Sequence, residues 1–156
     1  MCCNGVLFHL VRLQPADSVA ELSGLGMQLK RKKKSPYFTQ PCAFLSGTCC
    51  SIYEHRPERC RVFDCRQLQA VIAGELPEQE ACQRIEEVKA RVERVEKLLG
   101  SVGDVQVNQP LTERYRALLH VEGLDETLRL RLTTQMQELN EILNLHFRVE
   151  PFDMLA

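Results

Sequence analysis

The distribution of cysteines constrains this chain more than any other feature. Seven of its eight cysteines lie in the first 65 of 156 residues, and Cys82 alone lies beyond them. Disulfide frameworks belong mainly to secreted domains, and MCCNGVLFHLVRLQ at the start does not read as a signal peptide. We therefore expect a cytoplasmic, reducing environment, in which clustered cysteines indicate metal or redox chemistry.

Composition argues against two classes of partner. The net charge is −1, tryptophan is absent, and aromatic residues make up 6% of the chain, which does not favour nucleic-acid binding. The basic run KRKKK, residues 30–34, is interpreted as a solvated loop between a helix and a turn at Pro36 and Tyr37. No apolar run approaches the 18 or so residues that a membrane span needs. The sequence predicts neither nucleic-acid nor membrane binding.

Residues from 77 onward show helical periodicity. Helices are predicted from Pro77 to Gly100, between Pro110 and Gly123, and over residues 124–147. The two long helices carry apolar stripes with three- and four-residue steps: Ile85, Val88, Val92, Val95 and Leu99 in the first, and Leu128, Leu132, Met136, Leu139, Leu143 and His146 in the second. This pattern predicts a helical hairpin or small bundle, through which an unidentified protein partner could also bind.

The first half shows little regular structure. GVLFHLVRL is its best strand candidate, and a helix is predicted from Asp17 to Gly24. The predicted fold is therefore mainly α. It consists of a loop-rich cysteine metal module at residues 1–75, packed on a C-terminal helical hairpin or small bundle at residues 76–156.

The cysteine spacing does not match a zinc ribbon, because no Cys-x-x-Cys knuckle is present. Seven residues separate Cys42 from Cys50, nine separate Cys50 from Cys60, and four separate Cys60 from Cys65. One metal bound by all four would need a cage drawn from several segments. Disulfides, or buried thiols without partners, are the alternatives that the spacing leaves open.

The sequence around Cys60 favours metal binding. Pro57 suits the start of a helix, which places Cys60 in a first turn whose dipole stabilises a thiolate. Nearby arginines are expected to lower thiol pKa values; they are Arg56, Arg59, Arg61 and Arg66. If Cys60 and Cys65 bind one metal, the helix must break near Val62 to Asp64.

Other residues are interpreted as structural. Cys82 reads as a small core residue of its helix. His55 lies between the cysteines, but a lone histidine is more often structural or exposed. Tyr53 and Phe63 are expected to pack around the site and exclude water. No catalytic constellation is visible.

The cysteine segments resemble the YkgJ-type cysteine-cluster proteins, which are described as zinc- or iron-chelating. The resemblance covers about residues 1–66 and rests on CCNG and on PCAFLSGTCCSIYEHRPERCRVFDC. The second segment follows the family pattern Cys-x-Phe-Leu, then Cys-x-Ile-Tyr-x-x-Arg-Pro-x-x-Cys-Arg-x-Phe-x-Cys. The family's first motif has further cysteines before its Cys-Cys pair. We expect that the start of this chain is truncated or assigned to the wrong methionine; the alternative is a member with fewer ligands.

The resemblance implies a site and several functions. The implied ligands are Cys2, Cys3, Cys42, Cys50, Cys60 and Cys65, and Cys49 has no counterpart in the family motif. An iron-sulfur cluster is preferred to zinc, and the reaction is unknown. Some relatives are linked to methylation of flagellin lysines, so a cluster-dependent methyl-transfer enzyme is one alternative. A structural zinc module for protein-protein interaction is another.

Overall fold

The computed structural model describes residues 1–32, 35–104 and 106–150, with the backbone alone at residue 32. Contacts divide the chain into two compact units, Met1–Phe63 and Asp64–Ala156. The sequence places a domain boundary between residues 75 and 76, which stays a prediction. The units divide earlier because the helix that follows Asp64 contacts the next helix of the second unit.

The first unit contains short strands and short helices. In chain order they are β1 (Leu10–Arg12), α1 (Val19–Gly24), β2 (Lys30–Lys32), β3 (Ser35–Thr39), β4 (Leu45–Ser46), β5 (Cys49–Cys50), a single 3₁₀ turn (Tyr53–His55) and α2 (Glu58–Val62). Helix α1 begins where the Ser18 hydroxyl accepts the Glu21 N–H at 3.2 Å, a common N-cap arrangement.

A three-stranded antiparallel sheet in the order β1-β3-β2 supports the core of this unit. Val11 of β1 pairs with Phe38 of β3, and both side chains are buried. They pack with Leu13, Leu22 and Met27. Because residues alternate between the faces of a strand, one face of the sheet thus covers the core.

Two predictions for this segment were wrong. Lys30–Lys32 form strand β2 rather than a loop, and Pro36 and Tyr37 lie within β3 rather than in a turn. Charged residues are common on edge strands such as β2, so the basic run concealed the strand. Lys33 and Lys34 of the same run lie outside the described residues.

The second unit is helical. It contains α3 (Arg66–Ile72), α4 (Glu78–Ser101), α5 (Leu111–Leu119) and α6 (Glu126–His146). The predicted helices of this half are confirmed, and α4 packs against α6. Their buried residues are Ala81, Val88, Val92, Val95 and Leu99 in α4, and Leu132, Met136, Leu139 and Leu143 in α6. About 51% of the residues that the structure describes are helical, so the mainly α prediction is also confirmed.

Cys82 is exposed, and the prediction that it is a core residue was wrong. The preceding residue, Ala81, takes the buried position at 5% exposure. None of the helices in the described ranges combines the length and the apolar character needed to cross a membrane.

The buried stripe of α6 gives a test of the helical unit. Leu139 is 0% exposed and Leu130, on the same helix, is 65% exposed. Leu139→Ala should lower the free energy of unfolding by about 2–5 kcal/mol, because it leaves a cavity. Leu130→Ala should change it by no more than about 0.5 kcal/mol. Urea unfolding followed by circular dichroism measures both; equal effects would contradict the packing of α6.

Candidate metal centre

Four cysteines from four segments of the first unit come together. Cys3 lies in the N-terminal turn, Cys42 follows β3, Cys50 is in β5 and Cys60 is in α2. Each of the six pairs that they form interacts electrostatically, one ionised thiol raising the pKa of the other. We call Cys3, Cys42, Cys50 and Cys60 the thiol quartet.

Backbone contacts place three members of the quartet. The Cys42 N–H donates to the carbonyl oxygen of Cys3 at 2.7 Å, which ties the N-terminal turn to the segment after β3. Cys50 lies opposite Leu45 in the β4–β5 hairpin. The two-residue turn of this hairpin begins at Gly47, whose φ of 58° is typical of glycine at a tight hairpin turn.

The apolar core lies directly beneath two of these thiols. Cys42 and Cys60 are partly buried and pack against the cluster of Val11, Leu13, Leu22, Met27 and Phe38. Phe44 and Ile52, which neighbour Cys42 and Cys50 in the chain, pack against the same cluster. The quartet therefore lies between the core and the surface of the first unit.

Cys60 occupies the first turn of α2, as predicted. This helix ends at Val62, and Phe63 is extended with φ −80° and ψ 114°. The predicted break in the helix is therefore confirmed. Cys65 is the N-cap residue of α3 and belongs to the second unit, so its role as a ligand stays a prediction.

Burial dominates the electrostatics of the quartet. It raises the pKa of Cys3 and of Cys42, and it raises the pKa of Cys60 to about 12. This value also includes the other thiols of the quartet, which raise the pKa of Cys60, and Arg56, which lowers it. The expected lowering of thiol pKa values by arginines is confirmed for Arg56, which lowers the pKa of both Cys3 and Cys60. The pKa values are nevertheless raised overall, because removing a thiolate from water costs more free energy than Arg56 contributes.

The aromatic residues differ from their predicted roles. Tyr53 is 57% exposed, so the prediction that it excludes water was wrong. Its ring instead lies under the Arg56 guanidinium, whose carbon is 3.6 Å from the ring centroid. Arg56 Nε also donates to the Tyr53 carbonyl oxygen at 3.0 Å. Phe63 is partly buried and meets Phe8 edge to face, with the ring centroids 5.1 Å apart.

The remaining cysteines of the first unit are arranged differently. Cys2 is partly buried. Cys49 is exposed, although it is adjacent to Cys50. None of the eight cysteines, all of which lie in described ranges, forms a disulfide.

The quartet is not a ready-made metal site. Within residues 1–32, 35–104 and 106–150, no group of three or more His, Cys, Asp or Glu side chains has an arrangement that could hold a metal ion as it stands. The four thiols nevertheless supply the soft donors that zinc and iron-sulfur clusters take. Binding would thus require these side chains to close around the metal.

Sequence reasoning missed Asp17 as part of this region. Its Oδ1 accepts the backbone N–H of Glu58, two residues before Cys60, at 2.8 Å. The two residues are 41 positions apart, so no local sequence pattern could have revealed the contact.

Comparisons with known proteins agree with this chemistry. Neither the curated proteins nor the solved structures include a match to the chain. The family model named CxxCxxCC, described as a "putative zinc- or iron-chelating domain", matches residues 1–83. This match includes every member of the thiol quartet and more than half of the chain, and the protein belongs to the CxxCxxCC family.

Proposed function

We propose that the protein binds zinc or iron at a centre whose ligands are the thiolates of Cys3, Cys42, Cys50 and Cys60. The observation that carries this proposal is that all six pairs within the quartet interact. Four thiolates complete the coordination of a structural zinc ion or of an iron-sulfur cluster. The family description, zinc- or iron-chelating, agrees with this donor set.

The physical case rests on charge. At neutral pH the raised pKa values keep Cys3, Cys42 and Cys60 protonated in the absence of metal. A bound cation favours thiolates by direct attraction and replaces their protons. The pKa of Cys60, about 12, reflects the cost of a thiolate without such a cation. The arrangement therefore suits a cation that enters as the protons leave.

Of the two metals, we favour iron in an iron-sulfur cluster. The sequence contains no Cys-x-x-Cys knuckle of the kind that forms structural zinc sites. Thiolate ligands by themselves do not separate zinc from iron, so this preference rests on the spacing and on the resemblance described above.

Metal analysis tests both parts of the proposal. The protein should be purified without oxygen and assayed for iron, zinc and acid-labile sulfide, with a visible spectrum. Iron with sulfide, and a visible absorption that bleaches on reduction, would support the cluster. One zinc per chain and a colourless sample would support the thiolate centre and overturn the preference for iron. Protein that binds neither metal, even after reconstitution, would overturn the whole proposal.

Adjacent cysteines provide a matched pair of variants. Cys50 belongs to the quartet, whereas Cys49 is exposed beside it. Cys50→Ser should lower metal affinity at least tenfold, because removing one ligand leaves an incomplete site, while Cys49→Ser should leave metal content unchanged. Competition with a chelator measures the affinity of each variant. Equal affinities would contradict the assignment of Cys50.

The same assay tests whether the other predicted cysteines are metal ligands. Cys3→Ser should lose metal as Cys50→Ser does. Loss of metal in Cys2→Ser or Cys65→Ser would add these residues to the ligand set, as the resemblance implies. Full retention would confine the centre to the quartet.

The raised pKa of Cys60 predicts slow alkylation. In metal-free protein at pH 8, iodoacetamide should modify Cys60 at least about tenfold more slowly than in the same protein unfolded in urea. The folded thiol has a pKa of about 12 against the ordinary 9.0, so less of it is thiolate, although greater nucleophilicity offsets part of the difference.

Peptide mapping by mass spectrometry measures this rate. As pH rises above 9, the rate for the unfolded thiol should level off, while that for the folded thiol should continue to rise towards pH 12. A folded protein whose Cys60 reacts at the unfolded rate would contradict the burial of this thiol.

A further inference from the structure

Helix α2, which carries Cys60, has no cap of its own. Its N-cap residue is Pro57, whose side chain has no oxygen to accept a first-turn N–H. The first N–H groups of a helix have no partner within the helix. A helix of five residues is also too short to be stable by itself. The orientation of Cys60 therefore depends on contacts from outside α2.

Asp17 supplies the missing acceptor. One carboxylate oxygen, Oδ1, accepts the N–H of Glu58, the first residue of α2, at 2.8 Å. The other, Oδ2, accepts the N–H of Gln14 at 2.7 Å. The Asp17 N–H donates in turn to the Gln14 carbonyl oxygen at 3.0 Å. These contacts fix the carboxylate within its own loop while it holds the start of α2.

The hydrogen bond from Glu58 to Asp17 affects Cys60 because Cys60 lies two residues further along the same short helix. Within α2, the Cys60 N–H donates to the carbonyl oxygen of Pro57 at 2.9 Å, and the Arg61 N–H donates to the same oxygen at 3.2 Å. Holding the Glu58 N–H therefore fixes the turn from which the Cys60 side chain projects. A second link between these segments, His55 to Glu21 at 3.2 Å, joins two exposed side chains and is expected to contribute little.

We propose that Asp17 is a positioning residue for the metal centre, acting as a remote cap that orients the Cys60 thiolate towards the other three thiols. This inference rests on the proposed function. It assigns to Asp17 no contact with the metal. The quartet must close around a cation to bind it, and a fixed α2 reduces the number of segments that must move.

Cobalt(II) is a suitable probe, because its near-ultraviolet thiolate charge-transfer absorbance grows with the number of thiolate ligands. Asp17→Asn keeps the size of the side chain but replaces one charged acceptor oxygen with an NH₂ donor. We expect about tenfold weaker cobalt binding, as for other residues that orient metal ligands. We also expect a lower charge-transfer absorbance per bound cobalt, because Cys60 engages less often. The spectrum is recorded on folded protein isolated by gel filtration, because unfolded chains rich in cysteine can also bind cobalt.

Asp125→Asn is the matched control. Asp125 caps α6 in the second unit, where its Oδ1 accepts the Leu128 N–H at 2.9 Å. The same substitution there removes the charge of a helix cap far along the sequence from the quartet, and it leaves an oxygen that can still accept the Leu128 N–H. Asp125→Asn should lower stability only slightly, measured by urea unfolding, because a carboxylate interacts more favourably with the helix dipole than an amide does. It should change cobalt affinity by less than about twofold, with an unchanged spectrum.

The outcomes separate this inference from the function on which it rests. A wild-type protein without thiolate charge transfer would overturn both. A wild-type protein with a four-thiolate spectrum and an identical Asp17→Asn spectrum would overturn the role of Asp17 alone. Equal losses in Asp17→Asn and Asp125→Asn would also overturn it, since they would reduce Asp17 to an ordinary helix cap.

Discussion

The cost of placing four partly buried thiolates together is the constraint on which the first unit depends. Burial and the neighbouring thiolates, burial being the larger cause, together raise the pKa of Cys60 to about 12. Without a cation Cys3, Cys42 and Cys60 are therefore most stable as neutral thiols, and Cys42 and Cys60 pack against an apolar core as small hydrophobic residues do. A cation reverses this balance, because it stabilises all four thiolates together. The same side chains can thus serve as part of the packing or as ligands.

This dual role suits a unit with a small core. Five buried residues, Val11, Leu13, Leu22, Met27 and Phe38, form its main cluster, and folds with so little core commonly need a metal or a cross-link. Hydrogen bonds already join distant segments, Cys3 to Cys42 and Asp17 to Glu58. A metal held by the quartet would join four segments at one point, and the helical second unit, with its long buried stripes, has no comparable need.

The sequence predicted local features well and long-range ones poorly. The helices of residues 77–147 were predictable because their apolar residues recur every three or four positions, a pattern that each helix carries within itself. Strands β2 and β3 were missed because their pairing joins separate segments, and because lysines and a proline weaken the strand signal. The break after Val62 was predicted on the condition that Cys60 and Cys65 bind one metal, and the ligand role of Cys65 stays a prediction.

The site shows the same limit. Cys42, Cys50 and Cys60 could be recognised from their motif, and the structure brings them together with Cys3. Sequence could not show that Asp17 caps α2, because the two segments lie 41 residues apart. The sequence also could not predict that the thiol pKa values are raised. It shows which arginines lie near a cysteine in the chain, but it does not show how deeply the thiol is buried.

Arg56 lowers thiol pKa values as predicted, although burial outweighs its effect. Residues 1–63 contain nine lysines and arginines against four acidic residues, yet Arg56 is the side chain that lowers the pKa of both Cys3 and Cys60. The Tyr53 ring and carbonyl oxygen hold its guanidinium in place. Although Tyr53 is exposed and does not shield the thiols from water, it can affect the metal centre by holding the Arg56 guanidinium in place. Four thiolates around a divalent ion leave a net negative charge, and a guanidinium fixed beforehand can offset it without the entropic cost of ordering a free arginine.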